Sequence, residues 1–112
     1  MPDNPFEIRH PAEGITVLVF AEDVTERRTE AHEQTLDHEL SRCTTLAVDL
    51  SATKTMRSQW WRYLGRLGQR GRREGQQVVI VGASPTLRTT ADAVAAAEHL
   101  EWQASLDAGG PR

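Results

Sequence analysis

The sequence predicts a small α/β domain with a mixed sheet. Three observations carry that prediction. Apolar runs of strand length alternate with stretches of helical periodicity. The runs ITVLVF (15–20), TLAVDL (45–50) and QVVIV (77–81) are rich in β-branched residues and nearly continuous in apolar character, which suits strands covered on both faces and paired in parallel. A short alternating run ahead of them, joined by a turn at Gly14, suits an antiparallel first pair.

Each element follows in order. Phe6 to His10 alternates, with Phe6 and Ile8 on one face. A charged stretch, AEDVTERRTE, leads from the second strand into a helix over about residues 26–41. Leu36, Leu40 and Cys43 share one face of it at i, i+4 and i+7. Glutamates in its first turns and Arg42 at its end suit the helix dipole. After the third strand a polar segment, SATKTMRS, opens a second helix over 58–74. There Trp61, Leu64, Leu67 or Gly68, and Gly71 form an apolar stripe, and Arg62, Arg66, Arg70 and Arg73 form a basic one. Gly75 fits a C′ cap. After the fourth strand, Ser84 fits an N-cap and Pro85 the first helical position of a third helix, which is expected to run to about Leu100. Glu101 to Gln103 fits a short last strand, and Asp107 to Arg112 a frayed tail, so the domain is expected to span 1–106.

At 112 residues the chain is expected to be one domain with one core. The single Cys43 has no partner for an internal disulfide. No apolar run approaches a membrane span, and the first ten residues lack the basic and apolar regions of a signal peptide, so a cytoplasmic location is expected. The net charge of −3 conceals strong segregation. Residues 1–40 carry −7, residues 41–75 carry +6 and residues 76–112 carry −2. Eight basic groups with Trp60, Trp61 and Tyr63 among them resemble a nucleic-acid footprint in part, but the chain as a whole is acidic. A solvated basic stripe facing the acidic first helix is the simpler reading.

No motif specifies an enzyme. HEQTLDH places its histidines six apart, which is wrong for a zinc-binding HExxH helix, and no metal site is expected among His10, His32, His38 and His99. Cys43 falls on an apolar stripe, as a small buried hydrophobe does. The glycines at 65, 68 and 71 lie inside a helix rather than in a phosphate-cradling loop, and VGASP lacks the dinucleotide fingerprint. No cofactor is expected.

The segment from Leu46 to Leu100 resembles the STAS domain, found in anti-sigma factor antagonists and in the cytoplasmic tails of sulfate transporters. Asp49-Leu50-Ser51 resembles the family's Asp-Leu-Ser. Gly75, the strand through Val81 and Gly82-Ala83-Ser84-Pro85 resemble its later Gly, strand and Gly-x-Ser-Pro. The resemblance implies a four- or five-stranded mixed sheet with helices mainly on one face. It also implies a non-catalytic regulatory module that binds an anti-sigma factor with serine-kinase activity, or another STAS protein, with a homodimer as a further form. In the antagonists a Ser after the motif's Asp is phosphorylated, and the unphosphorylated form binds the partner. By position, Ser58 is the phospho-acceptor, and Arg57, Ser58, Gln59, Trp60 and Arg62 form the partner-binding face. This chain departs from the motif: Arg57 replaces its Asp, Gln59 its second Ser/Thr, and Trp60-Trp61 its Gly-Leu. Trp61 in the Leu position fits core packing. Trp60 in the Gly position has two readings, an exposed partner contact beside Arg57 and Arg62, or local packing over the loop. The contact reading expects Trp60→Ala to weaken binding and leave the melting temperature unchanged. Two alternatives stand beside the switch: a scaffold of the same fold without phosphorylation, and a small-ligand-binding or enzymatic use of the fold.

Overall fold

The centre of the molecule is built from the three apolar runs. They form β2 (Ile15–Phe20), β4 (Thr45–Asp49) and β6 (Gln77–Val81), paired in parallel with Val17 beside Ala47 and Ala47 beside Val79. The structure is a computed structural model and describes residues 5–25, 27 and 29–104. β1 (Phe6–Ala12) pairs antiparallel with β2 through the turn at Gly14, whose φ of +80° is the left-handed conformation a side chain resists. β7 (Glu101–Gln103) pairs in parallel with β6, so the sheet has five strands in the order β1-β2-β4-β6-β7.

Alternation along the strands divides the core. Leu18, Phe20, Leu46, Val48, Val78 and Ile80 point to the side where α1 (Glu30–Ser41), α2 (Ser58–Arg73) and α3 (Pro85–Ala93) pack. Val17, Ala47, Val79 and Val81 form a separate cluster on the opposite face, where no described helix lies. The described helices therefore sit on one face, as the resemblance implies, whereas the apolar runs by themselves suit strands covered on both. No described helix is long and apolar enough to cross a membrane.

Three expectations are corrected. The first helix begins at Glu30 rather than near residue 26, because Thr29 and His32 form a reciprocal cap. The Thr29 hydroxyl accepts from the His32 N–H at 3.2 Å, and the Thr29 N–H donates to His32 Nδ1 at 3.1 Å. The third helix ends at Ala93 rather than near Leu100. Ala95 takes a φ of +58°, and Ala96 N–H donates back to the Ala91 carbonyl, closing the helix in a Schellman turn. Alanine propensity favours continuing, but packing wins. Ala96 lies against Gly65, and the carbonyl of His99 lies against Gly68, where a Cβ would collide with it. A 3-10 turn at Ala97–His99 then delivers β7 to the sheet. Thirdly, two segments expected as loops, β3 (Asp23–Val24) and β5 (Thr55–Met56), pair as a small parallel sheet of their own. The tail expected over 107–112 lies outside the described residues.

Candidate functional site

The C-terminal ends of β4 and β6 carry the motif residues. In parallel α/β sheets this is the end where helices begin and ligands or partners are met. Asp49 closes β4 by accepting from the Ser51 N–H at 2.9 Å and the Ser51 hydroxyl at 2.6 Å. The Leu50 N–H donates to the Val81 carbonyl, tying the two strand ends together. Gly82, at φ +72°, packs so closely on Ser51 that a Cβ would overlap the Ser51 hydroxyl. The Asp-Leu-Ser and Gly-Ala-Ser-Pro segments are thus one physical unit.

The loop from Ser51 to Arg57 is strapped to the chain that leaves β2. The buried Thr53 hydroxyl donates to the Ala21 carbonyl at 2.8 Å. Lys54 N–H donates to the Glu22 carbonyl at 2.7 Å, and the Lys54 ammonium pairs with the Glu22 carboxylate at 2.9 Å. That hydrogen bond and charge hold the exposed Lys54 pKa above its ordinary value. The Thr55 hydroxyl donates to Asp23 at 2.9 Å, Met56 is buried, and Arg57 N–H donates to the Val24 carbonyl at 3.0 Å. These straps fix where α2 begins. Sequence reasoning missed Asp23, Thr53 and Thr55, because a charged run without periodicity gives no signal of a two-residue strand.

Arg57 is the N-cap of α2, with φ −60° and ψ 146° and no side-chain cap hydrogen bond; the first turn holds no acidic residue. Ser58 is the first helical residue and is exposed, as are Arg57 and Arg62, and Gln59 is half-buried. The helix start therefore combines unspent backbone N–H groups, the positive end of the dipole and two guanidinium groups. A phosphate on Ser58 would meet favourable electrostatics from all three.

Trp60 is corrected as an exposed contact. It is 0% exposed, with its ring 5.1 Å from His32, 5.7 Å from Phe20 and 6.2 Å from Phe6. The structure takes the packing alternative, and Trp60 anchors the first turn of α2 over β1, β2 and α1. Trp61 is also fully buried, 5.8 Å from Trp102. Full burial of one such ring contributes about 2–3 kcal/mol, more than the roughly 1 kcal/mol that a missing cap forgoes.

The basic stripe is also more divided than expected. Arg70 alone among its members pairs with α1, at 3.1 Å from Asp37, which also accepts the Tyr63 hydroxyl at 2.6 Å. Arg62, Arg66 and Arg73 are exposed on the outward side of α2. Cys43 is buried, and desolvation pushes its thiol pKa up, away from the reactive thiolate. Among the described residues no group of three or more His, Cys, Asp or Glu side chains is placed to hold a metal ion.

Comparison with known proteins agrees with this architecture. The structure of the anti-sigma factor antagonist SpoIIAA in its unphosphorylated form superposes with a TM-score of 0.68 at 11% identity, covering 91% of this chain and 90% of that one. An anti-sigma factor antagonist from Mycobacterium paratuberculosis gives 0.72 at 17% identity, covering 91% and 86%. A chain from the stressosome, a signal integration and transduction hub, gives 0.73 at 18% identity, covering 92% and 91%. At these identities the likeness is one of fold. No curated protein matches by sequence. The family model of the STAS domain matches residues 10–108, which is most of the chain, and the protein belongs to the STAS domain family.

Proposed function

We propose that this STAS domain is a non-catalytic regulatory module of the cytoplasm, spanning residues 1–106, that binds a protein partner in the manner of an anti-sigma factor antagonist. The partner-binding face is the start of α2, made by Arg57, Ser58, Gln59 and Arg62. The partner is an anti-sigma factor with serine-kinase character or a second STAS protein, and no cofactor takes part. The observation that carries the reading is the position of Ser58. It is an exposed hydroxyl at the first residue of α2, just after a loop held by hydrogen bonds to the chain leaving β2.

The charge on this face sets the direction of the switch. Arg57 and Arg62 favour an acidic partner surface. A phosphate on Ser58 adds about −1.5 to −2 charge between them, nearly neutralises the two guanidinium groups and removes that preference. Phosphorylation therefore releases an acidic partner, and the unphosphorylated form binds it. Incubation with the cognate serine kinase and ATP is expected to add one phosphate, seen by intact mass, that Ser58→Ala abolishes. An unchanged mass removes the switch.

The replacement of the motif's small and acidic residues by Arg57, Gln59 and the buried Trp60 favours a second reading, a scaffold that binds the same kind of partner without phosphorylation. Partner binding that is lost in Arg57→Asp, with no phosphate ever transferred, identifies that case.

A further inference from the structure

The outward side of α2 beyond Arg62 lies outside the proposed partner-binding face. α2 carries five arginines and no acidic residue. A helix that is merely solvated interleaves the two signs, because like charges four residues apart destabilise it. Arg62 and Arg66, and Arg66 and Arg70, are such like pairs. Among the described residues only Arg70 is neutralised, by Asp37, and Arg66 rests over the Tyr63 ring at 5.6 Å. Arg62 and Arg73 make no ion pair there, in a chain with more acidic than basic groups.

At 100° per residue, Arg62, Arg66, Gln69 and Arg73 fall within about 60° of one another, on a ridge roughly 16 Å long. All four are exposed. A hollow lies along each side. One, of ≈ 380 Å³ between α1 and α2, is lined by Glu33, Asp37, Tyr63, Gln69, Arg70 and Arg73 among others. The other, of ≈ 180 Å³ between α2 and the 3-10 turn, is lined by Arg62, Gln69, Ala95 and His99 among others.

We propose that this ridge docks an acidic helix of a partner protein. Carboxylates on such a helix at i, i+4 and i+11 repeat the rise of Arg62, Arg66 and Arg73, and the flanking hollows admit neighbouring side chains. The ridge is a single helix wide. A nucleic-acid duplex is wider than the ridge and would press phosphates against Glu33 and Asp37 beside it, whereas one helix seats its carboxylates along the arginines. The proposal rests on the reading of the chain as a partner-binding module and extends its contact surface along α2.

The test is fluorescence anisotropy on the full chain with a labelled helical peptide of about 18 residues bearing glutamates at i, i+4 spacing, at low salt where surface charge is least screened. The wild type is expected to bind. Arg66→Glu with Arg73→Glu, both beyond the α2 start, is expected to weaken binding about 10-fold or more. Arg72→Glu with Arg88→Glu makes the same net charge change off the ridge and is expected to alter it less than about 2-fold. Arg66→Gln with Arg73→Gln, which repels nothing, is expected to fall between, and circular dichroism confirms folding of each variant. Absence of peptide binding, equal losses from the two charge-reversed pairs, or tighter binding of duplex DNA overturns the proposal. A failed phosphate transfer to Ser58 bears on the α2 start and leaves this result standing.

Discussion

α2 and α3 begin at the same edge of the sheet, after strands whose ends lie side by side, with Asp49 opposite Val81. Their caps share an extended backbone, φ −60° and ψ 146° at Arg57 against φ −71° and ψ 161° at Ser84. Their chemistry differs. Ser84 accepts from the Leu87 N–H at 3.2 Å and is followed by Pro85, so α3 satisfies its own start. The Arg57 side chain makes no cap hydrogen bond, and α2 is held instead by the β3–β5 straps and by Trp60 beneath it. A helix start positioned from outside is free to carry residues chosen for something other than capping. At α2 those residues are a cation, an exposed hydroxyl and a second cation one turn on.

The largest expected effect probes the anchor. Trp60→Ala removes a fully buried ring and is expected to cost about 3–5 kcal/mol, lowering the melting temperature by roughly 10 °C or more in thermal unfolding. A nearly unchanged melting temperature with weakened binding would return Trp60 to the surface and undo the contrast between the two helices. The caps themselves come next. Ser84→Ala is expected to lose about 1 kcal/mol, whereas Arg57→Ser is expected to gain about 0.5–1 kcal/mol by supplying the missing acceptor. Chemical denaturation of both variants checks the signs. A loss at Arg57→Ser would mean that the guanidinium itself supports the fold.

Much of this architecture was legible locally. The runs at β2, β4 and β6, the Ser84-Pro85 start and the glycine at 75 are each decided by residues within one element. β3, β5 and the turn at Ala95 were not, because each is fixed by a neighbour distant in sequence: Glu22 and Asp23 for the loop, Gly65 and Gly68 for the turn. Trp60 is a different case. It shares a stripe with Tyr63, Leu64, Leu67 and Gly71 at i+3, i+4, i+7 and i+11, and all five are buried. The stripe read from the sequence started at Trp61, and the alignment of Trp60 with a glycine of the family motif left both a surface contact and packing open. Of the binding face, the residue types were readable, but the straps that present Ser58 were not.

The most direct test of the central claim, that the α2 start and not the α3 start is the partner-binding face, is a titration with the partner recovered from the native host on immobilised wild-type chain. Ser58→Asp places a negative charge at the α2 start, and Ser84→Ala removes the cap of α3. The account expects Ser58→Asp to weaken binding by about 10-fold or more, equivalent to roughly 1.4 kcal/mol, and Ser84→Ala to change it less than about 2-fold. Equal effects, or a larger loss at Ser84, would contradict it.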